Sequence, residues 1–523
     1  MKYSRFYKAV LLIAVTTLAF VISCTKQLDK RDPSRPDSDS YFKTADELLK
    51  GTNAIYSIVH SASLVAREWY FLHDLRSDDV KSGGGQLEVP RAQILNGAIS
   101  PSNAVMNSVW TGLYTTIHRA NVVIANAPNV TDNDELRNRC VGEAKFFRAW
   151  AYFELVSMWG PVPIYTEPVS NPNDFQPRAP EEDVYALIEQ DLKDAANALP
   201  ATYSDADRGR VTKGAANAML GRALMQKGDY AGARTALKAV ESSNLYSLTN
   251  NYLDNFLEET EFNQESVFEV VFFDRGDNGF AWGYTGDGAG EPQSTVRNQE
   301  YCPVAWRNLI PSEYYVNEFE RVATGAAKDD PRFAMSVYRT GDTYNNGQTV
   351  LTDEHQNGNT TKLMGVDQKI SWRKFMLLYK MSFDDAQFHP GGNNQRIIRY
   401  AEVLLMLAEC ENELDNPTEA IKYLNMVRAR PTVDMPPYPT TQFPVSNKLE
   451  IQKAIMHEKT VELGGEEIRN RDILRWRKKG YFTTEPLSWF VPGRDELLPI
   501  PQQEIDNNPE LGNGGIPKQN PGF

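Results

Sequence analysis

"AMLGRALMQKGDYAGARTALKAV", residues 218–240, decides the fold class. Two apolar stripes at helical spacing flank Gly228-Asp229-Tyr230, a turn between two runs of helix formers. Gly221 on the first run is followed twelve positions later by Ala233 on the second. Small residues at that offset let two antiparallel helices approach closely, which is the pattern of a tetratricopeptide hairpin. The offset recurs at Ala408 and Ala420 in "LLMLAECENELDNPTEAIKYLNMV", residues 404–427, where Asp415-Asn416 turns the chain and Pro417 starts the second helix.

Working outward, helical periodicity covers 44–60, 103–126, 136–159, 181–199, 212–227, 230–241, 398–414, 417–428, 449–463 and 466–478. Between 245 and 395 glycine, asparagine and aromatic residues replace that periodicity, with strand-like runs at 267–273 and 332–338. The expectation is a mainly α fold: helical blocks at about 41–244 and 396–479 flank an irregular, loop-rich middle, and residues 41–523 form one domain.

The composition is globular, with 41% hydrophobic, 11% aromatic and 24% charged residues. At the other end of the chain, Lys2, Arg5 and Lys8 precede an apolar run from Ala9 to Ile22, too short to span a bilayer comfortably and typical of a signal peptide. Val21-Ile22-Ser23-Cys24 resembles a bacterial lipobox, which implies cleavage after residue 23 and acylation of Cys24. Several acyl chains hold a protein on a membrane, at about 0.8 kcal/mol per buried CH2. The polar stretch up to residue 40 then reads as a flexible tether. Loss of residues 1–23 removes three positive charges and no negative ones, so the formal charge of −14 becomes more negative still. That argues against a nucleic-acid partner, which needs a basic face. Cys140, Cys302 and Cys410 form no CxxC or Cys/His pattern, so neither a disulfide framework nor a zinc site is expected. Cys140 and Cys410 read as small buried hydrophobes.

Three further stretches stand out. "GEAKFFRAWAYFELVSMWGPVPIYTEPV", 142–169, is an aromatic helix stopped by Gly160 and two prolines, and its aromatics read as core. "HEKTVELGGEEIRNRDILRW", 457–476, puts Glu458 and Glu462 on one helical face. Paired carboxylates suit acid/base chemistry, but the arginines around them point to a structural ion-pair lattice. "ELLPIPQQEIDNNPELGNGG", 496–515, is a short strand running into a turn. In this order the three resemble the SusD/RagB family of outer-membrane lipoproteins: its Arg-Ala-x-Ala-Tyr-Phe-x-Leu…Trp-Gly-x-Val-Pro helix at Arg148 to Pro163, its Glu-Leu-x-x-Glu…Arg…Asp-x-x-Arg-Trp block at Glu462 to Trp476, and its Leu-Pro-Ile-Pro-x-x-Glu-Ile tail at Leu498 to Ile505. The resemblance implies a SusD-like fold whose tetratricopeptide-like hairpins pack against a SusC-type TonB-dependent barrel. It also implies a non-catalytic protein, lipid-anchored in the outer membrane and facing the exterior, that holds a glycan, or in some members a peptide, over that barrel. Surface-exported members carry an acidic run after the lipid cysteine; here Thr25 to Asp29 supplies one acidic residue.

Family motifs do not carry the ligand residues, so these rest on composition alone. Sugars need flat aromatic platforms with polar groups at the rim. Trp282 and Tyr284 sit among glycines in "DRGDNGFAWGYTGDGAG"; Trp306 follows the Cys302-Pro303 turn; Arg373 follows Trp372; Trp69 and Asp78 precede Gly83-Gly84-Gly85. These six are the candidate glycan contacts. Six histidines without HExxH, GxSxG or a P-loop give an enzyme no recognisable motif, although a glycosidase needs only two carboxylates. A tetratricopeptide scaffold without a small ligand is the other alternative. Asp274, Asp277 and Asp287 lack the spacing of a calcium loop, so no metal or cofactor is expected.

Overall fold

The computed structural model describes residues 41–274, 280, 293–388 and 390–523. Cys24, Trp282, Tyr284, the expected signal peptide and the tether lie outside the described residues. The protein is about 48% helical, with short strands and no barrel among the described residues.

Local chemistry sets the helix ends. Thr44 caps Ala45–Val59 in a capping box with Glu47. Asn103 accepts from two backbone amides at the start of Ala104–Asn126, and Asn133 does the same once for Asp134–Trp159. Gly160, at φ +69°, ends that last helix. Asp134–Trp159 is buried on all sides from Phe146 onward. It packs against Ala45–Val59, Ala104–Asn126 and Glu181–Ala198. The aromatics of this helix are core, as the sequence suggested.

Lys213–Lys227 and Tyr230–Glu241 form one antiparallel hairpin, turned at Gly228 with φ +99°. Tyr400–Glu413 and Pro417–Arg428 form the other. The two hairpins, far apart in sequence, pack on each other through Tyr230–Glu241 and Tyr400–Glu413. At Gly221 a Cβ would lie 2.5 Å from the Leu237 side chain, so the glycine makes room for Leu237 one turn beyond Ala233.

Six two-stranded antiparallel pairs occur among the described residues, including Val80–Ser82 with Leu309–Pro311, Val337–Arg339 with Ile370–Trp372, and Ser266–Val270 with Gln395–Arg399. The strand expected over 332–338 is instead a short helix, Arg332–Ser336, followed by the strand Val337–Arg339. Arg332 drives this difference: its guanidinium is drawn into the core by Asp330, Glu458 and Glu462.

That contact belongs to a buried ion lattice. Glu462 accepts from Arg399 at 2.8 Å, Arg430 at 2.8 Å and Arg332 at 3.1 Å. Glu458 accepts from Arg428 at 2.6 Å and Arg332 at 2.9 Å. Both carboxylates are fully buried. Burial alone would raise them; the arginines outweigh it and hold Glu458 down at about 2 and Glu462 lower still. The lattice reading of this pair is therefore correct, but the arginines on Glu458 and Glu462 come from 332, 399, 428 and 430 rather than from the neighbouring 469–475 segment.

The three motif stretches of the sequence also meet in space. Glu154 accepts from Arg471 at 2.6 Å, joining the aromatic helix to Arg469–Lys478. Trp159 Nε1 donates to the Pro499 carbonyl at 3.0 Å, joining it to the C-terminal tail.

Candidate functional site

The loop-rich middle is assembled around Arg307. This residue has φ +51°, an uncommon backbone for a side chain of its size, and is 1% exposed. Its guanidinium donates to Ser371 Oγ at 2.7 Å, to the Asn357 carbonyl at 2.6 Å, to the Asn359 carbonyl at 2.9 Å and to the Ile370 carbonyl at 2.9 Å. These partners are carbonyls and a hydroxyl, none a carboxylate, and burial lowers the group to about 10. One side chain thus fastens the 357–359 loop and the strand Ile370–Trp372 to the segment that carries Trp306.

A third loop enters at the same point. Gly83 donates its N–H to the Asn308 carbonyl at 2.8 Å, and its own carbonyl accepts from Asn359 N at 2.7 Å. A Cβ at Gly83 would stand 1.6 Å from the Arg307 carbonyl oxygen, and one at Gly358 would stand 2.0 Å from the Gly83 carbonyl oxygen. Glycine is required at both because backbone crosses backbone there.

Trp306 sits half-buried beside this junction, its backbone N–H donating to the Gln299 carbonyl at 3.1 Å. Arg373 lies two residues beyond Ser371. It is half-buried, its guanidinium 4.1 Å from the Tyr338 ring centroid and 3.4 Å from Asp342. Trp306 and Arg373 therefore hang on the same clasp. Phe273 is bridged to Gln293, and Thr295 is bridged to Gly391 just before the helix Arg297–Tyr301 that leads to Trp306.

Two candidates belong elsewhere. Trp69 is 2% exposed, with Nε1 donating to Glu154 at 3.0 Å and the ring against His73 and Trp150. Its expected ligand role is corrected: no face of the indole is open, because it lies in the helical core. Asp78 accepts from Arg469 Nε at 2.6 Å and Nη2 at 2.8 Å, which makes it a brace between the strand Val80–Ser82 and the helix Arg469–Lys478 rather than a rim group. Sequence inspection missed the role of Arg307, Gly358 and Ser371. The glycine in Asn357-Gly358-Asn359 is a turn signal, but nothing in the spacing joins 307 to 371.

Among the described residues, Glu320, His457 and Glu458 come close enough to suggest a cation site. The chemistry does not fit one. Burial would lower His457, but the hydrogen bond to Glu318 at 2.9 Å and the Glu320 carboxylate 3.6 Å away outweigh it and raise the imidazole to about 9, which favours its cationic form. Arg428 bridges Glu320 and Glu458 at 2.7 and 2.6 Å, filling the cation position between them. A cavity of about 800 Å³ between Glu181, Lys227, Arg477 and Glu496 lies off the loop cluster. Charges of both signs line it, and its one aromatic, Tyr185, is 6% exposed, so it offers no platform.

Two family models between them match most of the chain. One, described as the SusD family, covers residues 264–523; the other, described as starch-binding associating with outer membrane, covers residues 28–225. The chain belongs to the SusD/RagB family. SusD-like protein P25 of Formosa agariphila is 26% identical to it over 96% of this chain and 97% of its own. A SusD-like protein of Bacteroides fragilis superposes with a TM-score of 0.74 at 22% identity, covering 93% of this chain and 99% of its own. A laminarin-binding SusD-like protein gives a TM-score of 0.71 at 25% identity, covering 92% and 100%. The SusD-like fold expected from the three sequence motifs is thus the fold observed. No helix among the described residues is long and apolar enough to cross a membrane.

Proposed function

We propose that this SusD/RagB member is a non-catalytic glycan-binding lipoprotein of the outer membrane, anchored through Cys24 and facing the exterior, that captures an oligo- or polysaccharide and passes it to a SusC-like TonB-dependent barrel. The observation that carries the reading is the likeness, over most of both chains, to a SusD-like protein that binds laminarin. The loop cluster supports it physically. Trp306 and Arg373 are held on a rigid junction, so a ligand there meets a preorganised surface and loses less in ordering it. Trp282 and Tyr284, outside the described residues, complete the proposed contact set. The absence of catalysis in this reading is supported by Glu458 and Glu462, the carboxylate pair most suggestive in the sequence, which are fully buried and committed to arginines.

The test is retention of the soluble chain on a panel of immobilised glycans, with Trp306→Ala and Trp282→Ala beside the wild type. We expect one glycan class to be retained without release of reducing ends, and affinity to fall about tenfold or more, about 1.4 kcal/mol, in each variant. Release of reducing ends, or retention of peptides but no glycan, would overturn the glycan-carrier reading. Cys24→Ala should move the protein from the membrane fraction to the soluble fraction.

A further inference from the structure

We propose a second, independent carbohydrate site in the groove between the helix Ala104–Asn126 and the C-terminal helix Gln502–Asn507, taking a short stretch of neutral glycan. The groove has a volume of about 420 Å³, within the roughly 300–1,000 Å³ usual for ligand sites. Its floor is the half-buried ring of Tyr114. Trp110, one turn earlier and 5% exposed, supports that ring from below with centroids 5.0 Å apart, and is itself backed by Trp159 at 5.4 Å. The Tyr114 hydroxyl is spent on the Pro163 carbonyl at 2.9 Å, so the ring is fixed in place while its half-buried body lines the groove. Its rim is polar: Asn107, Thr111 and His118 on one helix, Glu504 on the other.

This pairing suits a sugar, whose C–H faces pack on aromatic surface while its hydroxyls need both donors and acceptors. Asn107 adds a specific demand: its Oδ1 is buried and has no hydrogen-bond partner among the described residues. An acceptor left so is costly, and a sugar hydroxyl would satisfy it. The rim offers one carboxylate and neither lysine nor arginine, which disfavours anionic glycans. The site also gives the C-terminal family motif a task, since Pro501 and Glu504 line the groove that the Trp159–Pro499 bond holds in position.

The experiment is amide-exchange and hydroxyl-radical footprinting of the soluble chain with millimolar laminarihexaose, maltohexaose and cellohexaose in turn. At least one should protect 107–118 and 503–507. That protection should vanish in Thr111→Trp, which fills the groove from an exposed helix position, and weaken several-fold in Asn107→Leu. It should persist in Trp306→Ala, which separates this site from the loop cluster. The proposal is overturned if none of the three sugars protects these segments, whether or not the loop cluster binds, or if protection survives Thr111→Trp.

Discussion

Asp78 and Arg469, 391 residues apart in sequence, are joined by two parallel hydrogen bonds of 2.6 and 2.8 Å. Both side chains are 6% exposed. Removing one partner leaves the other charge buried and unpaired, which typically costs about 3–5 kcal/mol. Asp78→Ala should lower the denaturant midpoint accordingly, while the folded fraction keeps its glycan affinity. A large affinity loss at unchanged stability would restore Asp78 to the ligand site.

Gly83 and Gly85 are neighbours with opposite prospects. A methyl group on Gly83 would run into the Arg307 carbonyl, whereas one on Gly85 meets nothing within 4 Å. Gly83→Ala should displace the loop, lowering both the unfolding midpoint and ligand affinity; Gly85→Ala should leave both within error. Equal behaviour of the two would show that the junction is not the rigid point it looks to be.

Arg307→Met keeps much of the side-chain volume and deletes all four guanidinium contacts. The carbonyls of Asn357, Asn359 and Ile370 then lose their donor, and an unsatisfied buried polar group costs about 1–3 kcal/mol. The expected result is faster amide exchange at 307–308 and 357–359, with slow exchange retained in the helical hairpins. Uniform exchange across the chain would contradict a local clasp.

His457 predicts a pH dependence. Its folded value of about 9 lies above the ordinary 6.5, because the hydrogen bond to Glu318 and the nearby Glu320 carboxylate outweigh burial; Glu458 also faces it, and the Phe443 ring packs on it. Folding favours the charged form. Its contribution is complete below pH 6.5 and drains away as the pH rises from 6.5 to 9, by roughly 3 kcal/mol in all. His457→Gln should flatten the fall in melting temperature across that window, measured against wild type. Parallel curves would refute it.

Much of the helical framework was legible because local chemistry writes it: apolar periodicity over 44–60 and 103–126, Gly228 and Pro417 as punctuation, and small residues twelve apart in two hairpins. The aromatic helix at 142–159 was legible as core for the same reason. The candidate site was not. Arg307 looks like a surface arginine in sequence, and only the fold shows that three loops close on it. Trp69 looked available because a short tryptophan-tyrosine stretch before a glycine run has no period to betray burial. Arg332–Ser336 failed as a strand because a long-range ion contact overrode its local preference.

The sealed cluster of Glu458, Glu462 and their four arginines has a consequence for where such a molecule can work. Mobile ions weaken attraction between charges that solvent can reach, and barely touch charges that it cannot. The cohesion of this body is therefore insulated from the medium: unfolding midpoints should stay nearly level from fresh water to brine, even as contacts at the periphery loosen.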